Sequence, residues 1–465
     1  MRKDLPGARA DADMSQEIPK FTDTDGATSL IRQLGESFAV VKNPPYIFPA
    51  YEVYALASPR TQLVEGLEAA VMDMDGTTTT TEVLCTGALE FMVQHLCGTE
   101  KTGKPLLDHE RDFPHIIGNS TTKHVEYLIN TYGNGFMREA VCRSFLYACA
   151  WNLSCALDPR RSEETRTALR VQGLDFALTH PCFEQLCNEI KEHPDVEILP
   201  ADALIAVCKN RLRMESIADL TRIGIEVYYQ RYHESLQHIA TGKFVPNADQ
   251  SRPIEPMPGI GIALAMLKGW LGKEVAALGE MLATPLRKTD DYTPEAITAG
   301  LEQLPALGRY FADNPAKIGL VTSSIAAEAK IVLGEVFRVI QKEIAEWPLA
   351  AERREFLIKQ FADPDHIYDA CITASDSSEI RLKPHRDLYA IALHTMGIPP
   401  EQFHRVAGFE DSESGTIAIR AAGIPLCCAL PFTMTRNHHF EAATQVCPGG
   451  MPEVILLKRF FLPTA

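Results

Sequence analysis

The chain has 465 residues, 46% of them hydrophobic, and a formal net charge of −16 with an isoelectric point near 5.4. This length predicts a large core divided into two or three domains. The acidic balance argues against a nucleic-acid backbone or an anionic membrane surface as a partner, because both attract cationic proteins. No stretch reaches the roughly 20 consecutive apolar residues that cross a bilayer, and MRKDLPGARADADMSQ lacks the apolar core of a secretory signal. We therefore expect a cytoplasmic protein.

Residues 1–65 form an N-terminal extension with mixed signals. The segment GATSLIRQLGESFAVV is compatible with a helix, whereas the prolines of KNPPYIFPAYEVYALASPR interrupt regular structure. The extension lacks the periodicity of an independent core, so we expect it to pack onto the residues that follow.

The apolar run LEAAVMDMDGT predicts a buried strand that ends in two carboxylates, Asp73 and Asp75, followed by Gly76. Side chains two positions apart at the end of a strand point the same way, and a hard cation such as Mg²⁺ prefers oxygen ligands. A solvated turn is the alternative, because Asp and Gly are common in turns. A calcium loop of EF-hand type does not fit, because its glycine is sixth and this one is fourth.

Residues 83–250 are predicted to be largely helical. HVEYLINTYGNGFMREAVCRSFLYACAWNL and MESIADLTRIGIEVYYQRYHESLQHIA carry apolar residues at intervals of three and four. The polar, proline-bearing stretch GKFVPNADQSRPIEPMPG predicts a linker at the end of this block. The chain has 12 cysteines without a C-x-x-C pair, which favours free thiols and core packing over a zinc site.

Strands and helices alternate after this linker, which predicts an α/β fold with a mostly parallel sheet. The predicted strands lie in KIGLVTSS, DACITASDSSEIRLKP, RVAGFEDSESG, IPLCCAL and EVILLKRFF. The predicted helices lie in IAAEAKIVLGEVF, HRDLYAIALHTMG and TIAIRAAG. In open parallel sheets, ligands bind beyond the carboxyl ends of the strands, so the loops at those ends are the candidate site.

Two of these loops carry groups that favour an anion. Thr322, Ser323 and Ser324 follow a predicted strand, and their hydroxyl and backbone N–H groups can bind phosphate, although helix capping alone also explains them. Lys383 precedes Pro384 before a predicted helix. The lysine supplies a point charge for phosphate, and the proline suits the first helical turn; a surface lysine is the alternative.

A further loop carries the adjacent acids Glu410 and Asp411. A helix cap whose acids match the helix dipole is the alternative interpretation of this pair. Two acidic loops and two anion-binding loops at successive strand ends nevertheless predict one site for a metal and a phosphate.

These motifs together resemble the haloacid dehalogenase-like (HAD) superfamily. Its first motif is D-x-D-G-T after a strand, its second a strand ending in Ser or Thr, its third a Lys often followed by Pro, and its fourth an acidic pair. The stretch LKPHRDLYAIALHTMGIPPEQFHRVAGFEDSESGTIAIRAAGIP looks closely like the β-phosphoglucomutase and phosphoglycolate-phosphatase branch, and PMPGIGIALAMLKG resembles the helix before the second motif of that branch.

The resemblance implies a fold and a domain organisation. Residues 66–82 and 251–465 would form a Rossmann-like parallel sheet with helices on both faces, carrying helical insertions at about 272–315 and 338–365. Residues 83–250 would form an enlarged, mainly helical cap domain inserted after the first motif.

The resemblance also implies catalytic roles. Asp73 would attack phosphorus and become an aspartyl-phosphate, and Asp75 would act as general acid and then general base. Mg²⁺ would be held by Asp73, the backbone carbonyl of Asp75, Glu410 and Asp411. The residues assigned to the phosphoryl group are Gly76, Thr77, Thr322, the Ser323 backbone N–H and Lys383.

The segment after the first motif departs from the family. Thr80 and Thr81 replace an aspartate–serine pair, whereas Glu82 matches the glutamate that often follows it. We expect Thr78 and Thr79 to lie in an extended exit segment, which β-branched residues tolerate.

Gly118 and Ser120 resemble a cap loop that contacts substrate in this branch, although a solvated helix start explains them nearly as well. The expected function is a Mg²⁺-dependent phosphatase acting on a small phosphorylated metabolite. A sugar phosphomutase of the β-phosphoglucomutase type is an alternative. Another is a catalytically weak binding or assembly protein that forms an oligomer through its helical insertions.

Overall fold

The computed structural model describes residues 19–43, 47–63, 65–99, 105–116, 121–244, 254–378, 381–458 and 461. Within these residues, the strands are β1 (Phe38–Lys42), β2 (Tyr51–Ala55), β3 (Ala69–Asp73), β4 (Lys317–Val321), β5 (Ala370–Ile372), β6 (Val406–Glu410), β7 (Leu426–Ala429) and β8 (Gln445–Val446).

The α-helices in the same ranges are α1 (Thr24–Leu34), α2 (Glu82–Cys97), α3 (His109–Ile116), α4 (Thr121–Tyr132), α5 (Arg138–Cys155), α6 (Pro159–Val171), α7 (Pro181–Glu192), α8 (Asp202–Cys208), α9 (Ile217–Ala240), α10 (Ile260–Leu267), α11 (Gly279–Arg287), α12 (Pro294–Asp313), α13 (Ala326–Ala345), α14 (Ala351–Gln360), α15 (Asp387–Thr395), α16 (Glu413–Ala421) and α17 (Gly450–Glu453). A π-helix, Val454–Lys458, follows α17 directly. None of these helices is both long and apolar enough to cross a lipid bilayer.

A six-stranded sheet with the order β5-β4-β3-β6-β7-β8 forms the core, and every pairing in it is parallel. All residues of β3 and β6 are buried, as expected for parallel strands covered on both faces. Along β3, Ala70 and Met72 belong to one apolar cluster, whereas Ala69 and Val71 belong to another. Because alternate side chains of a strand point to opposite faces, helices cover both sides of the sheet. The predicted α/β fold is confirmed.

Among the described residues, eight α-helices, α2–α9, lie between β3 and the linker that precedes α10. The long helices α5 and α9 pack against each other and bury apolar side chains on both. Cys142 and Cys149 are fully buried on α5, and all 12 cysteines are free thiols. Helices α11 and α12 occupy the first predicted insertion, and α14 and the end of α13 occupy the second.

The prediction of a strand in EVILLKRFF is wrong. Glu453 is the last residue of α17, and Val454–Lys458 continue it as a π-helix in which Val454, Ile455 and Leu456 are buried. A short apolar run fits a buried strand or a buried helix equally well by periodicity, which explains the error. The helix packs against α12 at Gly300, where a Cβ atom would lie 2.4 Å from the Leu456 carbonyl oxygen. The strand at this edge of the sheet is instead β8.

The N-terminal extension is more regular than its prolines suggested. Helix α1 ends at Leu34, and the following residues form the antiparallel hairpin β1–β2, in which Val40 pairs with Val53. The helix predicted over GATSLIRQLGESFAVV is therefore correct only for its first part. Gly35, with φ of 152°, separates α1 from the hairpin.

Candidate active site

Four loops meet at the carboxyl edge of the sheet. Asp73 and Glu410 are the last residues of the neighbouring strands β3 and β6, and Thr322 follows β4 on the other side of β3. Lys383 comes from the connection between β5 and α15. Because β4, β3 and β6 are adjacent and parallel, the residues that follow them lie side by side.

Three buried carboxylates form a compact cluster at this edge. Asp73, Glu410 and Asp411 each place one oxygen within 4.8 Å of the others. Oxygen ligands of this kind are those that Mg²⁺ prefers. The side-chain group of Asp75 is not part of this cluster, and its predicted contribution to metal binding is through its backbone carbonyl.

Lys383 extends into the acidic cluster. Its Nζ atom contacts Asp73 Oδ1 and lies 2.8 Å from Glu410 Oε1, and its side chain is only 7% exposed. Burial alone would lower the pKa of Lys383, but the neighbouring carboxylates of Asp73 and Glu410 outweigh it and raise that pKa. Lys383 is therefore a charged group that is held between two acids.

The predicted position of Pro384 is wrong. It lies in a turn ahead of α15, which begins at Asp387, and the Lys383–Pro384 peptide bond is cis. The proline therefore does not occupy the first helical turn. The placement of Lys383 at the site does not depend on that expectation.

Asp75 faces hydroxyl groups. Its carboxylate accepts hydrogen bonds from the hydroxyls of Thr81, Thr322 (2.8 Å) and Ser324 (3.3 Å). Burial raises the pKa of Asp75, and the bonds from Thr81 and Thr322 partly oppose that rise. The structure thus brings the carboxylate of Asp75 together with Thr322. Ser323, the next residue after Thr322, is exposed.

The threonine run forms a tight turn and not the extended segment that we predicted. The backbone N–H groups of Thr78 and Thr79 donate to the Met74 carbonyl at 3.0 and 2.9 Å, and their hydroxyls donate to the same oxygen. Both side chains are completely buried. The turn is possible because Gly76 has a φ of 84°, which side-chain-bearing residues rarely adopt.

Gly76 also leaves room for two carboxylates. A Cβ atom there would lie 2.6 Å from Asp411 Oδ2 and from Glu82 Oε1. The Thr77 hydroxyl lies 3.4 Å from Asp411 Oδ1. Glu82, the first residue of α2, is a site residue that the sequence-based assignment did not include. Its agreement with the glutamate of the HAD pattern was the available signal.

The site concentrates negative charge. Five acids lie near one another here, and Lys383, which contacts Asp73 and Glu410, contributes one positive charge; the acids are Asp73, Asp75, Glu82, Glu410 and Asp411. Burial, followed by repulsion from neighbouring carboxylates, raises the pKa values of Asp73, Glu82 and Asp411; Lys383 opposes the rise at Asp73. A divalent cation at this position would offset that repulsion, so the donor set and its charge both fit Mg²⁺.

The predicted substrate contacts Gly118 and Ser120 lie outside the described residues. The helical block nevertheless reaches the core near the site. His233 Nε2 on α9 lies 2.7 Å from Glu328 Oε1 on α13, the helix that follows the Thr322 loop. Tyr228, also on α9, donates to Cys85 Sγ on α2 at 3.4 Å.

Neither a protein-family model nor a curated protein sequence matches this chain. Among solved structures, it is similar to CbbY from Rhodobacter sphaeroides in complex with phosphate, with 15% identity, coverage of 82% of this chain and 93% of that chain, and a TM-score of 0.36. It is also similar to a provisionally assigned β-phosphoglucomutase from Thermotoga maritima, with 15% identity, coverage of 84% of this chain and 97% of that chain, and a TM-score of 0.35. A HAD-superfamily hydrolase, subfamily IA, from Geobacter sulfurreducens has 13% identity, coverage of 84% of this chain and 96% of that chain, and a TM-score of 0.30.

Proposed function

We propose that this protein is a Mg²⁺-dependent, HAD-type phosphatase that hydrolyses a small phosphorylated metabolite through an aspartyl-phosphate. One observation carries the proposal. The carboxylate of Asp73 lies with Lys383, Glu410 and Asp411, whereas that of Asp75, two residues later, is bound by threonine hydroxyls. The two acids of one motif therefore have different environments, which suits them to different chemical roles.

Asp73 is the nucleophile in this proposal. Its carboxylate is buried at the end of a rigid strand, which limits its motion and excludes water from its surroundings. Attack of a carboxylate oxygen on phosphorus forms the aspartyl-phosphate and breaks the bond to the leaving oxygen of the metabolite. Mg²⁺ held by Asp73, the Asp75 carbonyl, Glu410 and Asp411 would neutralise the acidic cluster and polarise the phosphoryl oxygens.

Asp75 is the proton carrier. Burial raises its pKa, so its carboxyl group takes up a proton more readily than that of a solvated aspartate. The hydrogen bonds from Thr81 and Thr322 fix the orientation of that group. Asp75 gives its proton to the leaving oxygen, then takes one from the water that attacks phosphorus in the second step. That attack releases inorganic phosphate and restores the Asp73 carboxylate.

Lys383 and the β4 loop supply the groups that bind the phosphoryl oxygens. The Lys383 ammonium group already lies between Asp73 and Glu410. The backbone N–H of Ser323 follows a buried strand next to β3, whereas the Thr322 hydroxyl donates to Asp75 in this structure and would turn to a phosphoryl oxygen when substrate binds. Donors that are fixed before substrate binds stabilise the charge that develops in the transition state.

The testing experiment measures phosphate release from a panel of phosphorylated metabolites in the presence of Mg²⁺. We expect Asp73→Asn to lower the rate by more than about 10³-fold, because an amide cannot replace the attacking carboxylate. Asp202→Asn is the matched control, since its side chain is 95% exposed on α8. It should leave the rate unchanged.

Three outcomes would contradict the proposal. Phosphate release by the Asp73→Asn variant at the wild-type rate would show that Asp73 is not the nucleophile. Isomerisation of a hexose phosphate without net phosphate release identifies a phosphomutase. Inactivity toward every monoester, together with a stable oligomer or a bound partner, identifies a binding or assembly protein.

A further inference from the structure

The hairpin β1–β2 is fixed to the helix that follows the Glu410–Asp411 loop. Val41 and Tyr54 of the hairpin form a small apolar cluster with Ala421 of α16. Directly after β2, the Ala57 carbonyl accepts a hydrogen bond of 3.0 Å from Arg420 Nε, and the Ala57 N–H donates to the Arg420 carbonyl at 2.9 Å. The hairpin therefore has a defined position relative to the site.

The same hairpin contacts the loop that carries Lys383. Tyr54 is 9% exposed, and its Oη atom lies 2.6 Å from Nδ1 of buried His385. Burial and the hydrogen bond to Glu52 raise the pKa of Tyr54 to about 12, so its hydroxyl keeps its proton. Tyr54 then donates to the Glu52 carboxylate, and its oxygen accepts from the Nδ1–H of His385.

The other end of the loop is held by Arg381. Its Nε and Nη2 atoms donate to the two oxygens of Asp387, the first residue of α15, at 2.8 and 2.9 Å. Its Nη1 atom lies 3.4 Å from Glu52 and 3.3 Å from Tyr54 Oη. The hairpin thus contacts the residues two positions before and two positions after Lys383.

Lys383 depends on this support because its side chain is a flexible four-carbon stem. The position of its ammonium group is set by the backbone from which the stem starts. That backbone is a turn closed by a hydrogen bond of 3.0 Å from the His385 N–H to the Leu382 carbonyl. Fixing both sides of the turn lowers the number of positions that the ammonium group can take.

We propose that the β1–β2 hairpin, through Tyr54 and Glu52, positions Lys383 for its interaction with the phosphoryl group. Tyr54, Glu52 and His385 are positioning residues, because they act through the loop and do not touch the reacting atoms. The role of Lys383 as a phosphoryl ligand rests on the proposed function. The contact between the hairpin and the loop does not.

The kinetic test compares Tyr54→Phe with Tyr51→Phe, using para-nitrophenyl phosphate and Mg²⁺. Tyr51 lies on the same strand but is 58% exposed, so the two variants lose the same hydroxyl in different surroundings. We expect Tyr54→Phe to lower kcat and kcat/KM by about tenfold, because small displacements of a transition-state ligand are costly. Tyr51→Phe should match the wild type when rates are expressed per folded protein.

Two substitutions at His385 distinguish an effect on the position of the loop from an effect on the stability of the fold. His385→Asn keeps an N–H donor close to the place of Nδ1 and should retain most of the activity. His385→Leu removes that donor and should behave like Tyr54→Phe. Equal activity of the Asn and Leu variants, at equal folded fraction, would overturn the proposed role of the hydrogen bond.

Hydrogen–deuterium exchange provides a readout that needs no catalysis. In Tyr54→Phe, we expect the amides of residues 381–386, apart from Pro384, which has no N–H, to exchange about tenfold faster than in the wild type or in Tyr51→Phe, with β3 unchanged. Unchanged exchange in this segment overturns the proposal. If the wild type releases no phosphate from any monoester, the proposed function fails, while this measurement still decides whether the hairpin fixes the loop.

Discussion

At the scale of single residues, the position of the Glu410 carboxylate is over-determined. Oε2 accepts hydrogen bonds of 2.8 Å from both the backbone N–H and the hydroxyl of Ser412. Oε1 accepts from Lys383 at 2.8 Å and from the Tyr389 hydroxyl at 3.3 Å. Gly415 closes the remaining side, where a Cβ atom would lie only 1.6 Å from Oε1. No side chain at position 415 is compatible with this carboxylate position.

This crowding makes Gly415→Ala a test of the site that touches no reacting group. The added methyl group must displace the Glu410 carboxylate, which cannot move without breaking its bonds to Ser412 and Lys383. We expect phosphatase activity to fall by about 10²-fold or more, as for other ångström-scale displacements in active sites. Steady-state kinetics with para-nitrophenyl phosphate over a Mg²⁺ titration would measure the loss.

The control for Gly415→Ala is Gly334→Ala in the middle of α13. A Cβ atom at Gly334 meets nothing within 4 Å. This substitution should leave activity unchanged and raise the free energy of unfolding by roughly 0.5–1 kcal/mol, because alanine is the better helix former. Wild-type kinetics and Mg²⁺ dependence in Gly415→Ala would show that Glu410 is not needed where the structure places it.

At the scale of elements, a buried contact joins the helical block to α13, the helix that follows β4. His233 on α9 and Glu328 on α13 have side chains that are 1% and 6% exposed, and their Nε2 and Oε1 atoms are 2.7 Å apart. The second oxygen of Glu328 accepts from the Ile325 N–H at 3.2 Å and so caps the start of α13. Glu328 thus stabilises a helix end and an interface between elements with a single carboxylate.

Glu328→Ala should therefore lower the free energy of unfolding by about 1–3 kcal/mol, since it leaves a buried histidine nitrogen without its acceptor. Glu328→Gln should cost less, because the amide oxygen can still accept a hydrogen bond. Urea unfolding followed by circular dichroism would measure both. Lys330→Ala, on an exposed position of the same helix, should stay within roughly 0.5 kcal/mol of the wild type. Equal losses in the Ala and Gln variants would argue against the contact.

Local sequence patterns were sufficient for strands β3–β7 of the parallel sheet and for the residues at its carboxyl edge, but not for β8. The two aspartates of the first motif, the hydroxyls after β4 and the acidic pair at the end of β6 each adjoin an apolar run, whereas Lys383 lies further along the polar connection that follows β5. The rule that parallel strands present their carboxyl ends together then brings these loops into one place.

The features that sequence reasoning missed depend on distant packing. Tyr54 and His385 are 331 residues apart, and the sequence around each residue does not predict their contact. The hydrogen bond from Thr81 to Asp75 requires the turn at Gly76. That turn was not predicted, because the β-branched threonines favoured an extended segment. Buried apolar runs are ambiguous in the same way, because a buried strand and a buried helix both lack a polar face, as Val454–Lys458 shows.

At the scale of the whole molecule, charge links folding to the state of the site. The chain has a formal net charge of −16, and the acids at the carboxyl edge of the sheet add repulsion inside the fold. Burial raises the pKa values of Asp73, Glu82 and Asp411 above the values of 3.8, 4.5 and 3.8 that such groups have when solvated. These groups therefore bind protons more tightly in the folded protein than in the unfolded chain.

The sign of the pH dependence follows from linkage. A group whose pKa is raised on folding stabilises the folded state fully below its unfolded pKa, and this contribution is lost as pH rises through the folded pKa. The metal-free protein should therefore have a lower melting temperature at about pH 8 than at about pH 5.5. Mg²⁺ should restore more of the stability at the higher pH, because it binds the deprotonated carboxylates.

Thermal unfolding in EDTA and in MgCl₂ at both pH values measures these effects, and Asp411→Asn assigns them to the site. This substitution removes one repelling carboxylate and one proposed ligand, so it should reduce both the pH-dependent loss in EDTA and the gain from Mg²⁺. Asp202→Asn removes the same formal charge from an exposed position and should alter neither. Only a carboxylate of the site should change both the pH dependence and the effect of Mg²⁺ when it is removed. If the two variants respond alike, the pH dependence therefore arises from the net charge of the chain and not from the acids of the site.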